Sequence, residues 1–181
     1  IATEIVSKSK AIVIEQDIDG SLGAHAAGDI VGADDCCTTL AIAWIADLKD
    51  YWPNFGKGDV IRIEKASWFN ETENLAVQYD FLLFNTLPTG ELRDNAVNDN
   101  PLKAAIGYWQ KKIAFPGSVA GGTTVASTAF ATPSTYGNLP LLFRCATNDT
   151  KIYGVLVANT AFTQSAGDTI RITLEAERVL P

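Results

Sequence analysis

The chain has 181 residues and carries 21 acidic side chains against 14 basic ones, a formal charge of −7. A surface of that sign neutralises few phosphates, so nucleic-acid binding and a polybasic membrane footprint are excluded as primary roles. Apolar residues at 47% and charged residues at 19% supply one real core and rule out a disordered chain.

Residues 1–10 read as an N-terminal arm and 11–181 as one domain, since no linker divides the rest. Alternation at period 2, the mark of a half-buried strand, begins at Lys10–Gln16, where Ile12 and Ile14 share a face. Gly28-Asp29 precedes Ile30-Val31, and the same Gly-Asp pair returns before Val60 and before Thr169. Each predicts a turn that needs a permissive backbone and a short carboxylate to bind local amides. A short helical turn is expected over Ile45–Tyr51, ahead of Pro53, followed by a strand over Val60–Lys65.

Ala76–Asn85 sets Val77, Tyr79, Phe81 and Leu83 on one side, with Leu82 and Phe84 also apolar. That strand is expected to be central and covered on both faces at its end. Asn100 as N-cap, Pro101 at the first helical position and Gly107 as a stop predict two turns of helix. Residues 117–139, dominated by Gly, Ala, Ser and Thr, predict a long loop or an irregular edge strand. Three more strands follow at Leu139–Cys145, Ile152–Asn159 and Thr169–Arg178. The expected class is all-β, a single antiparallel β-sandwich, jelly-roll-like, with one or two short helices. No run approaches the ~18 apolar residues of a membrane-crossing helix, and the N-terminus lacks the pattern of a signal peptide.

Candidate chemistry is thin. His25 is the only histidine, and the nearby carboxylates that could orient it are Asp19 and Asp29. Its plain reading is a loop histidine without chemistry. Cys36, Cys37 and Cys145 form no disulfide framework and read as reduced structural thiols. Asp17, Asp19, Asp34 and Asp35 are a weak calcium candidate, because hard cations take oxygen ligands, but the spacing fails the EF-hand pattern. No cofactor is expected. Asn70 and Asn148 head glycosylation sequons that carry little weight without a secretory signal. Trp44 and Trp109 read as core anchors, whereas Tyr51-Trp52 and Trp68-Phe69 sit in polar surroundings and read as an exposed aromatic surface. With Ile1 and Ile5 of the arm, those four are the candidate interface residues.

Taken in order, Ala26-Ala27-Gly28-Asp29-Ile30-Val31-Gly32, Phe81-Leu82-Leu83-Phe84-Asn85, Asp94-Asn95-Ala96 with the short helix into Ile106-Gly107, and Ile152-Tyr153-Gly154-Val155-Leu156-Val157 make a pattern. It resembles the capsid decoration, or cement, proteins of tailed phages. The resemblance spans roughly residues 24–178 and departs from that family in the Trp-rich segment Tyr51–Trp68. It implies a β-rich, jelly-roll-like virion protein without an active site, often trimeric, seated on the outer capsid surface and clamping neighbouring major capsid proteins. The expected partners are therefore further copies of the chain, as a homotrimer, and the major capsid protein. A carbohydrate-binding sandwich using Trp52 and Trp68 is the second expectation, and a carboxylate-pair glycosidase the third.

The charge is not spread evenly. Between Ala11 and Leu48 there are seven acids and no Lys or Arg, so the remaining 14 acids and 14 bases cancel. Such a segment is expected either to solvate loops or to steer a basic partner.

Overall fold

The computed structural model describes residues 9–18, 24–32, 43–73, 75–103, 106–120, 126–131, 138–165 and 167–179. Its strands, numbered in chain order, form two main antiparallel sheets. The first runs β1 (Lys10–Asp17), β13 (Thr169–Val179), β5 (Val60–Glu73), β9 (Ala126–Ala131), β8 (Val119–Ala120), with β10 (Leu141–Arg144) also on β5. The second runs β3 (Ile30–Val31), β11 (Lys151–Ala158), β6 (Tyr79–Phe84), β7 (Trp109–Ala114), with β4 (Trp44–Asp47) also on β11. A ribbon of β2 (Ala24–His25) and β12 (Phe162–Thr163) closes one end. Among the described residues no helix is long and apolar enough to cross a membrane.

Each sheet has one strand that shares a side between two short partners. On β5, Val60–Ile63 pairs β10 while Ala66–Glu73 pairs β9. On β11, Lys151–Gly154 pairs β4 while Leu156 and Val157 pair β3. Alternation does the rest. Ile12, Ile14, Ile61, Ile63, Trp68, Ile172 and Leu174 from the first sheet meet Trp44, Tyr79, Phe81, Leu83, Ile113 and Ile152 from the second in one continuous core. This is the two-layer solution for sheets with one apolar face.

The second sheet is also apolar outside. Ile30, Leu82, Phe84, Val155 and Val157 form a separate buried cluster against Leu92 and Tyr153, so β6 and β11 are covered on both faces, as the apolar pair Leu82 and Phe84 requires. The sandwich is laced along one seam by Tyr51, whose hydroxyl donates to the Val13 carbonyl (3.0 Å) and accepts from the Val13 N–H (2.9 Å). Gln16 adds a bond from its side-chain amide to the Ala43 carbonyl at 3.3 Å. The backbone of edge strand β1 is thereby occupied at its midpoint.

Three expectations change. Among the described residues no α-helix follows Asn100. Instead its N–H donates to the Asn98 side chain at 2.9 Å and its own amide donates to the Glu91 carbonyl, so the capping chemistry closes a loop. The middle of 117–139 holds strand β9, neither a loop nor an edge: it pairs β5 on one side and the two-residue edge strand β8 on the other, with Ala129 and Ala131 buried. Over Ile45–Tyr51 the first half is strand β4, and only Leu48–Asp50 turns, as a single 3-10 turn capped by Asp47 accepting from the Lys49 N–H. The three Gly-Asp turns form where expected: Gly28, Gly58 and Gly167 lie at φ +97°, +77° and +75°. Asp29 accepts from the Ala26 N–H at 2.6 Å and Asp59 from the Gly56 N–H at 2.7 Å.

Candidate functional site

The interface residues read from the sequence separate in space. Trp68 is fully buried between the sheets, edge-on to Tyr79 with ring centroids 4.7 Å apart, which corrects its reading as surface. Its polar neighbours misled because Ser67 and Phe69 point to the opposite face of β5, and because inward-facing Asn70 is polar yet satisfied. Phe69 does lie at the surface, near exposed Phe130 across the β5–β9 pairing. Tyr51 and Trp52 are half-buried against the core, Tyr51 as the seam described above and Trp52 against Phe55 at 5.9 Å. They do not form an exposed pair. Ile1 and Ile5 lie outside the described residues.

Of the calcium candidates, Asp17 accepts a bond from the Thr169 hydroxyl at 2.8 Å, and Asp19, Asp34 and Asp35 lie outside the described residues. Among those described, no group of three or more His, Cys, Asp or Glu could hold a metal. The described acids of the 11–48 segment are engaged: Glu15 with Arg171, Asp29 in its own turn, and Asp47 accepting from the Thr150 hydroxyl at 2.8 Å. Asn70 is buried and exchanges amide bonds with Gln164, at 2.8 and 3.1 Å, which closes its sequon to modification. The Cys145 thiol donates to the Lys151 carbonyl at 3.6 Å, and burial, helped by Asp149, Asp59 and Asp47, pushes its pKa up to about 12. It is a structural thiol. Cys36 and Cys37 lie outside the described residues.

His25 has a partner that its sequence neighbourhood does not contain. Its Nε2 is 2.9 Å from Asp94 Oδ1, and both side chains are essentially solvent-free. The same carboxylate oxygen accepts the Gly32 N–H at 2.9 Å. The imidazole stacks on Phe162 (4.6 Å, 11°), which meets Tyr79 edge-on at 5.6 Å. Burial holds the Tyr79 hydroxyl far above its ordinary pKa, with the Asp94 charge adding to it and an Asn70 bond opposing. A His–Asp pair sealed this way, with the imidazole face covered, has no room for substrate, and its chemistry is that of a clip joining β2 to the 85–100 segment.

Around that clip the sequence motifs meet. The Asn95 N–H donates to the Ile30 carbonyl (2.9 Å), the Ile30 N–H to the Ala96 carbonyl (2.8 Å) and the Asn98 N–H to the Gly28 carbonyl (2.9 Å). β3 lies on β11, and β11 on β6, with Leu156 opposite both Val31 and Phe81. Gly154 is where β11 crosses the Phe81 ring, and a Cβ there would collide with the ring edge.

Sequence reasoning missed one surface altogether. Where β7 approaches β10 at the second seam, a groove of about 690 Å³ opens between Trp109, Gln110 and Lys111 on one side and Asn138, Pro140 and Leu142 on the other. Trp109 is 38% exposed and Leu142 57%, which corrects Trp109 as a core anchor. The sequence held no signal for it, because a bulge at Gln110 breaks the alternation that would place Trp109.

No protein-family model matches the chain, and no curated protein matches it.

Proposed function

We propose that this chain is a non-enzymatic structural protein of a tailed-phage virion, seated on the outer capsid surface as a homo-oligomer and holding neighbouring major capsid proteins together. What supports the reading is the convergence of the motifs that carry the resemblance. Scattered from Ala26 to Val157, all of them except Ile106-Gly107 form one contiguous unit of β3, β11, β6 and the Asp94–Asn98 loop, joined by backbone bonds and the His25–Asp94 clip. Motifs that build one rigid unit rather than a cleft suit a shell component under mechanical stress. Clamping then acts through area, about 1,200–2,000 Å² for each stable contact, multiplied by simultaneous attachment of several copies.

Light scattering of the purified chain is expected to give a mass about three times 19.4 kDa. Sedimentation with phage shells that lack the protein is expected to carry it into the pellet. A monomer that stays in the supernatant at high concentration overturns the proposal.

A further inference from the structure

We propose that the β7–β10 groove is a saccharide-binding site, with Trp109 as its stacking platform. The site is independent of the residues from which the sequence suggested sugar binding, Trp52 and Trp68, which the fold uses internally.

The first observation is the lining. Trp109, 38% exposed, lines the groove, and so do Gln110, Lys111 and Asn138, whose side chains make no hydrogen bond or ion pair to any described residue. Lys112, which also lines the groove, is taken by Asp80 at 2.7 Å, as Lys65 is by Glu175 on the first sheet. An exposed aromatic face, an apolar wall of Pro140 and Leu142 and two unengaged primary amides are the chemistry that recognises a pyranose. Its axial C–H groups lie on the ring, and its hydroxyls need paired donors and acceptors, which a carboxamide supplies together. Lys111 adds one positive charge, which favours a sugar acid over a neutral hexose.

The second observation is the backbone. The pairing of β6 with β7 slips between Leu83 and Phe84, so that Leu83 faces Lys111 while Phe84 faces Trp109, and Gln110 is the extra residue of a bulge. Bulges re-aim side chains and twist an edge away from further pairing. With Lys111 and Lys112 on the same strand, this edge is built against the addition of another strand. The occupant is therefore a small polar chain bound by side chains rather than an added β-strand of a second copy.

Titration of the full chain with hexaoses of glucose, N-acetylglucosamine and galacturonate, followed by tryptophan fluorescence and by amide shifts of residues 109–112, tests the proposal. At least one hexaose is expected to bind. W109A is expected to weaken it about ten-fold and Q110A or N138A a few-fold, with circular dichroism unchanged because all three side chains lie at the surface. K111Q is expected to weaken galacturonate selectively. Three results overturn the site: no hexaose shifts these amides at millimolar concentration, binding that W109A leaves intact, or shifts at 109–112 that follow protein concentration and vanish on dilution, which would assign the groove to self-association.

Discussion

The outer faces of the two sheets solve the same problem differently. On the first sheet the outward side chains form cross-strand ion pairs, Arg62 with Glu177 at 3.6 Å and Lys65 with Glu175 at 3.5 Å, with each partner about half exposed. On the second, Ile30, Leu82, Phe84, Val155 and Val157 are buried under Leu92 and its loop, and the His25–Asp94 pair beside them is sealed from solvent. Exposed pairs contribute little, because water and salt screen them. A sealed pair is different: breaking it strands a charge, so it fixes geometry. The fold's specificity therefore concentrates in the second sheet, where the motifs lie, and the first sheet's outer face is free to vary.

That contrast orders the expected effects. Asp94→Ala removes the acceptor of both His25 and the Gly32 N–H and should cost about 3–5 kcal/mol in urea denaturation. A loss under about 1 kcal/mol would mean the clip does not hold the loop. Gly154→Ala forces a methyl into the Phe81 ring and should cost about 1–3 kcal/mol, with near-ultraviolet dichroism altered; an unperturbed variant would show that the β11–β6 crossing is loose.

Glu91 sits at the rim of the same loop. Hydrogen bonds from the Arg93 guanidinium hold its carboxyl at about 2, against partial burial and aided by the Arg93 and Leu92 N–H groups, whereas its ordinary value is 4.5. Because the folded value is the lower one, its contribution is complete above pH 4.5 and fades as the pH falls toward 2. Glu91→Gln should thus cost less than about 1 kcal/mol at neutral pH, and its difference from the parent should shrink on acidification. A difference constant from pH 7 to pH 2 would show that the carboxylate charge contributes nothing. Lys65→Ala, on the first sheet, should change stability by no more than about 0.5 kcal/mol. A larger loss would contradict the contrast itself.

What the sequence made legible follows the same division. Alternation located β1, β6, β11 and β13 within a residue or two at most ends, and the Gly-Asp turns stood out because their chemistry is local, with Asp29 and Asp59 binding amides three residues back. Contacts across long separations were not legible. His25 finds Asp94 across 69 positions, and Asn70 finds Gln164 across 94. Without those partners in view, the histidine read as a loop residue without chemistry and the asparagine as no more than the head of a sequon. Asn70 and its neighbours also hid the inward parity of Trp68. Trp109 failed for the opposite reason: its apolar bulk argued for a core, and only the bulge and the approach of β10 set it at an open groove.

Attachment to a capsid is the property on which the proposed function stands or falls. Cryo-electron microscopy of shells lacking this protein, imaged before and after its addition, measures it directly. The expected result is new density the size of a β-sandwich at symmetry-related positions, each bridging adjacent capsid proteins. Shells that remain bare at saturating protein would contradict it.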